Sequence, residues 1–460
     1  MQPKLLVAGL VLASAACLVL AAWILVLTGG NPLWAAALGV AVLTLMLAVL
    51  LGRRAHARRS AHKLEHGLLA QAKAQLKSTR PDRRHETEQL QHDFQRAVGE
   101  LKASRLGRAG RDALYLLPWY AMIGPSGAGK TTLLRNSGLR FPSLRGHQNV
   151  KVRGVGGTRN CDFWLTNHAV LLDTAGRWST EDDDRHEWLG FLRLLRKHRR
   201  RKPLNGLIAA ISVGDVVNAS DADIDAVAQR MRDRLDEVTS ELRVSTPVYV
   251  LFTKCDLLEG FVEMFGGLRA TEREQILGFT VPLASGPLAA ERLFEHHFDV
   301  VAQALRGAAM TRMGEERGVY ERQLVYAFPG QFIAMRCNLG RFIARLFESN
   351  VYQETLPLRG VYFSSGTQEG RPFSLLADAS SDPGVGVVDQ KGYFLKELFM
   401  HVIFEDSEIA SASQTELRRQ YRRQALLTGV LSLLTLTLGV VPASAFLRSR
   451  QQLTVTAKLV

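Results

Sequence analysis

Cysteine is scarce in this chain: Cys17, Cys161, Cys255 and Cys337 are the only four in 460 residues. None stands at a pairing or metal-ligand spacing, which excludes a disulfide scaffold and a zinc ribbon. The histidines form no H-E-x-x-H or other ligand pair, and no hydrolase triad signature is present. His56, His62 and His66 read as interfacial or solvated side chains. Internal repeats are absent. Acidic residues are in deficit, 44 Asp and Glu against 58 Lys and Arg, so the formal net charge is +14. Such an excess suits nucleic acid, yet no aromatic-interleaved basic stripe and no RNA- or DNA-binding module accompanies it. Much of the excess lies beside long apolar runs, where anionic lipids attract it. Lipid is therefore an expected partner and nucleic acid is not.

Charge is missing altogether from Leu5 to Leu27 and from Leu33 to Leu51. Each run is long enough to cross about 30 Å of hydrocarbon as a helix. Gly29-Gly-Asn-Pro32 between them is a tight turn, so the pair reads as a transmembrane hairpin. A cleaved signal peptide has a shorter apolar core and no second span at once behind it. Ala425 to Phe446 is a third candidate span. Arg53, Arg54, Arg58, Arg59 and Lys63 follow the hairpin, and Arg418, Arg419, Arg422 and Arg423 precede the third span. Positive flanks stay cytoplasmic. The expectation is a multi-pass membrane protein with residues 53–424 in the cytoplasm and the C-terminus outside.

Within that cytoplasmic stretch, Gly124-Pro-Ser-Gly-Ala-Gly-Lys-Thr131 fits G-x-x-x-x-G-K-[ST] at every fixed position. It follows a strand-like run, Trp119 to Ile123, and precedes a helix-like run that ends at Gly138, the context the motif needs. Backbone N–H groups of Gly124, Ser126, Gly127, Ala128 and Gly129 are placed to curl around a phosphate, with Thr132 in the first helical turn. Lys130 reaches the outer phosphates and the Thr131 hydroxyl holds Mg²⁺. Two further segments come after it in order. Ala169 to Asp173 is a short strand ending in the D-x-x-G turn Asp173-Thr-Ala-Gly176. Val248 to Phe252 is another, followed by Thr253-Lys-Cys-Asp256. Three motifs at the C-terminal ends of strands point to an open α/β nucleotide-binding sheet.

Roles follow from the chemistry. Asp173 is a second Mg²⁺ carboxylate, acting directly or through water, and the Gly176 N–H meets the terminal phosphate. Lys254 and Asp256 flank the base, and Asp256 suits a purine edge that offers N1–H and an N2 amine. This leans toward GTP over ATP, a lean that Thr253 in place of the usual Asn weakens. Thr158, in Gly154-Val-Gly-Gly-Thr158, fits a switch threonine completing the Mg²⁺ shell and equally an ordinary turn. Arg177 stands where a water-positioning glutamine is expected. It reads as a partner of the acidic run Glu181-Asp-Asp-Asp184, with an arginine-finger role as the alternative. With Arg177 and Lys130 the only catalytic candidates, the sequence points to binding more than to turnover, and slow NTP hydrolysis is left open.

The organisation read from the chain is a transmembrane hairpin (1–52), a basic helical stalk (53–110), a P-loop GTPase-like domain (111–285) and a mainly helical extension with one or two added strands (286–424). The third span (425–446) and the start of a truncated periplasmic region (447–460) complete it. Gln323–Phe328 and Leu358–Ser364 are the added strands, and the turn Pro329-Gly330 after the first is a candidate base-contacting loop. Lys197-His-Arg-Arg-Arg-Lys202, ending a helix with Trp188, Leu189, Phe191 and Leu192, is a basic run suited to lipid or a partner protein.

These motifs in this order, with Arg359-Gly-Val-Tyr-Phe-Ser-Ser-Gly-Thr-Gln-Glu-Gly370, Gly392-Tyr-Phe-Leu-Lys-Glu-Leu-Phe399 and Val402-Ile-Phe-Glu405, resemble the TssM (IcmF-like) family of bacterial type VI secretion systems. The resemblance covers essentially the whole chain. It implies three membrane spans, a cytoplasmic NTPase-like domain with a helical extension, and a large periplasmic region beyond residue 460. It implies a structural role, anchoring the baseplate and tail to the envelope, with TssL and baseplate components as cytoplasmic-side partners, TssJ as a periplasmic one, and self-association. An NTP-hydrolysing energiser of secretion and an unrelated membrane-anchored GTPase are the competing readings.

Overall fold

The computed structural model describes residues 114–141, 161–180, 184–282, 289–348, 356–367, 373–376 and 391–412, with residues 92, 94–96, 99 and 425 besides. Chain contacts divide the protein into two units, one of them His85–Leu417, which contains the whole of the sheet and the helices packed on it. Among the described residues no helix is long and apolar enough to cross a membrane. The expected hairpin, most of the stalk, and the third span beyond Ala425 lie outside the described residues.

Nine strands are present among the described residues. Seven form one sheet in the order β2 (Cys161–Leu165), β3 (Val170–Thr174), β1 (Trp119–Ile123), β4 (Gly206–Ser212), β6 (Val248–Thr253), β8 (Leu358–Phe363), β7 (Gly278–Thr280). The five inner strands run parallel, and the two edges, β2 and β7, are antiparallel to their neighbours. A parallel strand buried on both faces must be apolar throughout, and WYAMI, GLIAAIS and VYVLFT are buried at every residue. The fold is therefore mixed α/β on a mostly parallel sheet. Its chain order reverses around β1, which has β3 on one side and β4 on the other. Such a reversal opens a crevice at the carboxyl ends of the strands.

Side chains alternate across a strand, and this sorts the interior into two layers. Trp119, Ala121, Ile123, Leu207, Ala209, Ile211, Val250, Phe252, Val361 and Phe363 point to one face. There they meet α2 (Arg185–His198), α3 (Asp221–Leu242), α4 (Ala290–Glu315), α5 (Val319–Ala334) and α6 (Arg336–Leu346), numbered after the short α1 (Lys130–Arg135). Helix α3 shows why: Ser220 caps it by accepting from the Asp223 N–H, Asp221 and Asp223 sit in its first turn, and Ile224, Ala228, Met231, Leu235, Val238 and Leu242 recur every three or four residues on its buried side. Each such leucine or isoleucine withdrawn from water contributes about 2 kcal/mol.

The opposite face carries Tyr120, Met122, Leu171, Ile208, Ala210, Tyr249, Leu251 and Tyr362. It is covered by Leu133 and Leu134 of α1 and by Leu395, Leu398, Phe399, Ile403 and Phe404. The latter belong to a strap, residues 391–412, that includes a π-helical turn at Leu398–Ile403. Its far end is fastened by β9 (Ser411–Ala412), which pairs with β5 (Val244–Ser245).

Two expectations are corrected. Gln323–Phe328 is not a strand but the middle of α5, and Pro329-Gly330 is no loop: both residues lie inside that helix. The run reads as strand-like, but Val325, Phe328 and Phe332, the large apolar side chains buried there beside Pro329 and Gln331, recur at helical spacing. Tertiary burial outweighs the missing proline N–H. Leu358–Phe363 is a strand, and it lies between β6 and β7. The sheet thus runs across the boundary expected at 285, and the helices α4–α6 form an insertion between two of its strands.

Candidate functional site

The glycine-rich loop leaves β1 at the carboxyl end of the sheet. Close approach explains Gly124, since a Cβ there would lie 2.0 Å from the Ala210 carbonyl oxygen. Gly127 and Gly129 hold positive φ angles of 81° and 75°, a conformation that costs a side chain strain. The loop so formed folds back on its own lysine. Lys130 Nζ donates to the carbonyl oxygens of Gly124 (2.7 Å) and Pro125 (3.0 Å). The side chain is almost fully buried, and burial pushes its ammonium down from 10.5 to about 8, partly offset by the Asp173 carboxylate. A cation held this way gains from any anion brought to the loop.

Asp173 is the penultimate residue of β3 and is fully buried. Its Oδ2 accepts from the Thr131 hydroxyl at 2.5 Å. The two hard oxygen ligands of the expected Mg²⁺ pair therefore stand side by side, a donor set suited to that ion. Next to Asp173, the Thr174 hydroxyl donates to the Met122 carbonyl at 2.6 Å and ties the turn to β1. Gly176 closes against the loop, where a Cβ would fall 2.4 Å from Ser126 Cα. The D-x-x-G turn thus touches the phosphate loop through a position where only glycine fits. Thr158 lies outside the described residues.

Arg177 is accounted for by its carboxylate partners. Nη1 pairs with Asp184 at 2.9 Å and Nη2 with Glu187 at 2.7 Å. Glu187 also accepts from Trp178 Nε1 at 3.4 Å, and Trp178 packs on Trp188 and Phe191. The residue after the D-x-x-G turn is thereby bound to the start of α2.

A second cluster sits at the end of β6. The Thr253 hydroxyl lies 2.8 Å from the Ala128 carbonyl and 3.3 Å from that of Ile211. The threonine that replaces the usual asparagine therefore links its strand to the phosphate loop. Lys254 adopts a left-handed φ of 57°. Burial pushes the nearby Asp215 carboxyl up, and Lys254 opposes that rise. The Cys255 thiol is pushed far above its ordinary value by burial, which makes it inert as a nucleophile.

Asp256 is buried, and here the structure supplies a residue that sequence reasoning missed. Ser365 Oγ donates to Asp256 Oδ1 at 2.6 Å. The loop after β8, Ser364-Ser-Gly-Thr367, therefore meets the Asp256 carboxylate, at the place where the sequence suggests Pro329-Gly330. Cys255 N donates to the Ser364 carbonyl at 3.1 Å. Asn136 at the end of α1 donates to the Gly366 carbonyl at 2.6 Å, and a Cβ on Gly366 would press on Leu133 at 3.3 Å. The signal was a small polar loop directly after a strand, the same arrangement that marks the other two motifs. The strap reaches this corner too: Tyr393 N donates to the Ser365 carbonyl at 2.9 Å.

A protein-family model described as the IcmF-related N-terminal domain matches residues 181–431. The type VI secretion system component TssM1 of Pseudomonas aeruginosa is 42% identical over 375 residues, covering 77% of this chain and 33% of that protein. The chain thus spans about a third of the length of the curated relative it matches. Among solved structures, the signal recognition particle receptor SRb-GTP/SRX complex from Chaetomium thermophilum shares 21% identity over 32% of this chain and 75% of that one, at a TM-score of 0.23, an overlap too loose to argue from.

Proposed function

The chain belongs to the TssM/IcmF-related family, and from that premise we propose that it is a structural component of a type VI secretion membrane complex. In this reading it sits in the bacterial inner membrane, anchors the baseplate and tail, and carries a cytoplasmic Mg²⁺-nucleotide domain that works as a switch. TssL and baseplate components are its partners on the cytoplasmic side. TssJ contacts belong to the periplasmic part of such proteins.

The observation that carries the nucleotide reading is Lys130, a buried ammonium whose near neighbours are loop carbonyls and Asp173. A β- or γ-phosphate oxygen is the natural counter-charge. Thr131 and Asp173 are the residues that would hold Mg²⁺, which supplies neutralisation of phosphate charge. Asp256, oriented by Ser365, favours a guanine edge, since a carboxylate accepts from N1–H and the N2 amine while adenine presents an acceptor at N1. Two observations favour a switch over an energiser. The Arg177 guanidinium is engaged by Asp184 and Glu187. The strap, moreover, joins the base corner at Tyr393 to the far end of the sheet, so a change at Asp256 has a packed route across the molecule.

The test is equilibrium binding of fluorescent GTP and ATP analogues to the whole chain in detergent with Mg²⁺, wild type beside Lys130→Ala. Micromolar binding, stronger for GTP and lost in the variant, is expected. A well-folded wild type with no affinity for either analogue sinks the nucleotide reading, and steady turnover at enzyme rates sinks the preference for a switch.

A further inference from the structure

The basic run at the end of α2 has no place in the nucleotide site. Seven Lys or Arg residues fall between Arg193 and Lys202, and no acidic residue occurs from 188 to 214. The structure splits this run into an anchor and an outward face. Arg199 is buried, its guanidinium 4.7 Å from the Trp119 ring and 5.2 Å from the Tyr115 ring. Asn205, at the end of the same loop, accepts from Trp119 N at 2.9 Å and donates to the Ser407 carbonyl at 2.7 Å. Lys202 donates to that carbonyl as well. The loop between α2 and β4 is thus fastened at both ends. Arg200 and Arg201 are exposed on it, Arg201 with its guanidinium 5.9 Å from the Tyr115 ring, and Lys197 and Arg193 are exposed on the last turns of α2, where Arg193 also pairs with Glu241 at 3.6 Å.

Position gives this face its meaning. The loop lies at the amino ends of the parallel strands, where Tyr120 of β1 pairs with Gly206 of β4, opposite the edge that holds Lys130, Asp173 and Asp256. The same edge receives the chain at Trp119 and releases it at Ala412, where β9 pairs with β5. Residue 425, the start of the third apolar run, is thirteen residues further on. That much chain reaches at most about 45 Å extended, or about 20 Å as a helix. A cationic face tethered within that reach of a bilayer fits an anionic surface. A solvated charge run would need neither the buried anchor nor this location.

We propose that Arg193, Lys197, Arg200 and Arg201 form a docking face for anionic lipid headgroups, which holds the amino-end edge of the sheet against the membrane. The inference rests on the membrane-anchored reading above. Each cation contributes about fivefold in surface affinity, the contribution falling with salt over a Debye length.

The test uses the whole chain in nanodiscs of phosphatidylcholine, with or without phosphatidylglycerol. A photoreactive amino acid replaces Arg200, and a control label replaces exposed Met310 on α4. Expected is crosslinking to lipid from position 200 only, at least tenfold stronger in the anionic discs, abolished by molar salt and reduced more than tenfold by Lys197→Glu with Arg201→Glu. Equal labelling in both disc types, indifference to salt in the wild type, or crosslinks to protein in place of lipid overturns the proposal. A chain that does not enter nanodiscs overturns the membrane reading and this inference together. Entry without charge-dependent labelling overturns the inference alone.

Discussion

Nucleotide affinity should fall as pH rises from 7 to 9, and the structure gives the size of the fall. Burial holds the Lys130 ammonium near 8 in the empty site, against 10.5 for a free lysine. Protonated Lys130 is about 90% of the population at pH 7 and about 10% at pH 9. If the phosphate binds only the charged form, affinity drops about tenfold over that range, whereas an unperturbed lysine would leave it flat. The perturbation to compare is Lys130→Met, which should bind weakly and without this pH dependence. Stability gives an independent reading of the same shift. The folded value lies below the unfolded one, so the unfolded chain binds the extra proton between pH 8 and 10.5 and stability rises across that window. Below pH 8 the charged lysine costs the empty fold about 3 kcal/mol. Lys130→Met should therefore raise, not lower, the nucleotide-free unfolding midpoint at pH 7. The assays are fluorescence titration with a GTP analogue at constant ionic strength, and thermal unfolding without nucleotide. Affinity unchanged between pH 7 and 9, or a variant less stable than wild type, refutes the account of Lys130 as a buried cation awaiting an anion.

Ser365→Ala removes a hydroxyl donating to a buried carboxylate, so GTP affinity should fall about 10- to 100-fold with little change for ATP; Ser365→Thr should restore it in the same titration. Gly176→Ala places a methyl 2.4 Å from Ser126 Cα and should weaken nucleotide binding by tenfold or more while circular dichroism stays native. Asp406 receives Arg359 through Nε (2.7 Å) and Nη2 (3.0 Å) and the Tyr249 hydroxyl at 2.9 Å. Asp406→Ala should lower stability by about 3 kcal/mol, read by chemical denaturation, and expose the strap to protease, whereas a variant as stable as wild type would show that the clamp is incidental.

The site was legible where chemistry and local geometry coincide. Gly124–Thr131, Asp173–Gly176 and Thr253–Asp256 are short segments at strand ends, so the residues each contributes to the candidate site are neighbours in sequence. Ser365 escaped because 108 residues separate it from Asp256 along the chain, and only the parallel pairing of β6 with β8 brings them together. The same distance explains the misplaced strand at 323–328. The sheet needs a further strand after β6, and 323–328 is the first strand-like run to offer one, although its apolar residues recur at helical spacing once Phe332 is included. Arg199 shows another limit. Within Lys197–Lys202 nothing in the sequence distinguishes Arg199, which is buried against Tyr115 and Trp119, from the exposed Lys197, Arg200 and Arg201.

The two ends of the parallel strands carry opposite duties, and the parallel geometry makes that separation possible. Every inner strand delivers its carboxyl end to one edge, so loops from β1, β3, β6 and β8 converge there on the candidate site proposed to hold a nucleotide. Every amino end falls on the other edge, where the chain enters at Trp119 and leaves at Ala412. A strand of five or six residues is about 17–20 Å long, too far for direct contact between the edges. The strap spans this length on the apolar face, bonded to Ser365 at one end and clamped through Asp406 and β9 at the other. Nucleotide occupancy can shift the chain leaving at Ala412 only if it changes the stability of that strap. Reciprocity then requires that loosening the clamp change nucleotide affinity by the same factor. Asp406→Ala, more than 100 residues from any phosphate-loop residue in sequence, should therefore weaken GTP binding measurably. An unaltered affinity in a variant whose strap is demonstrably released would mean that the two edges act independently.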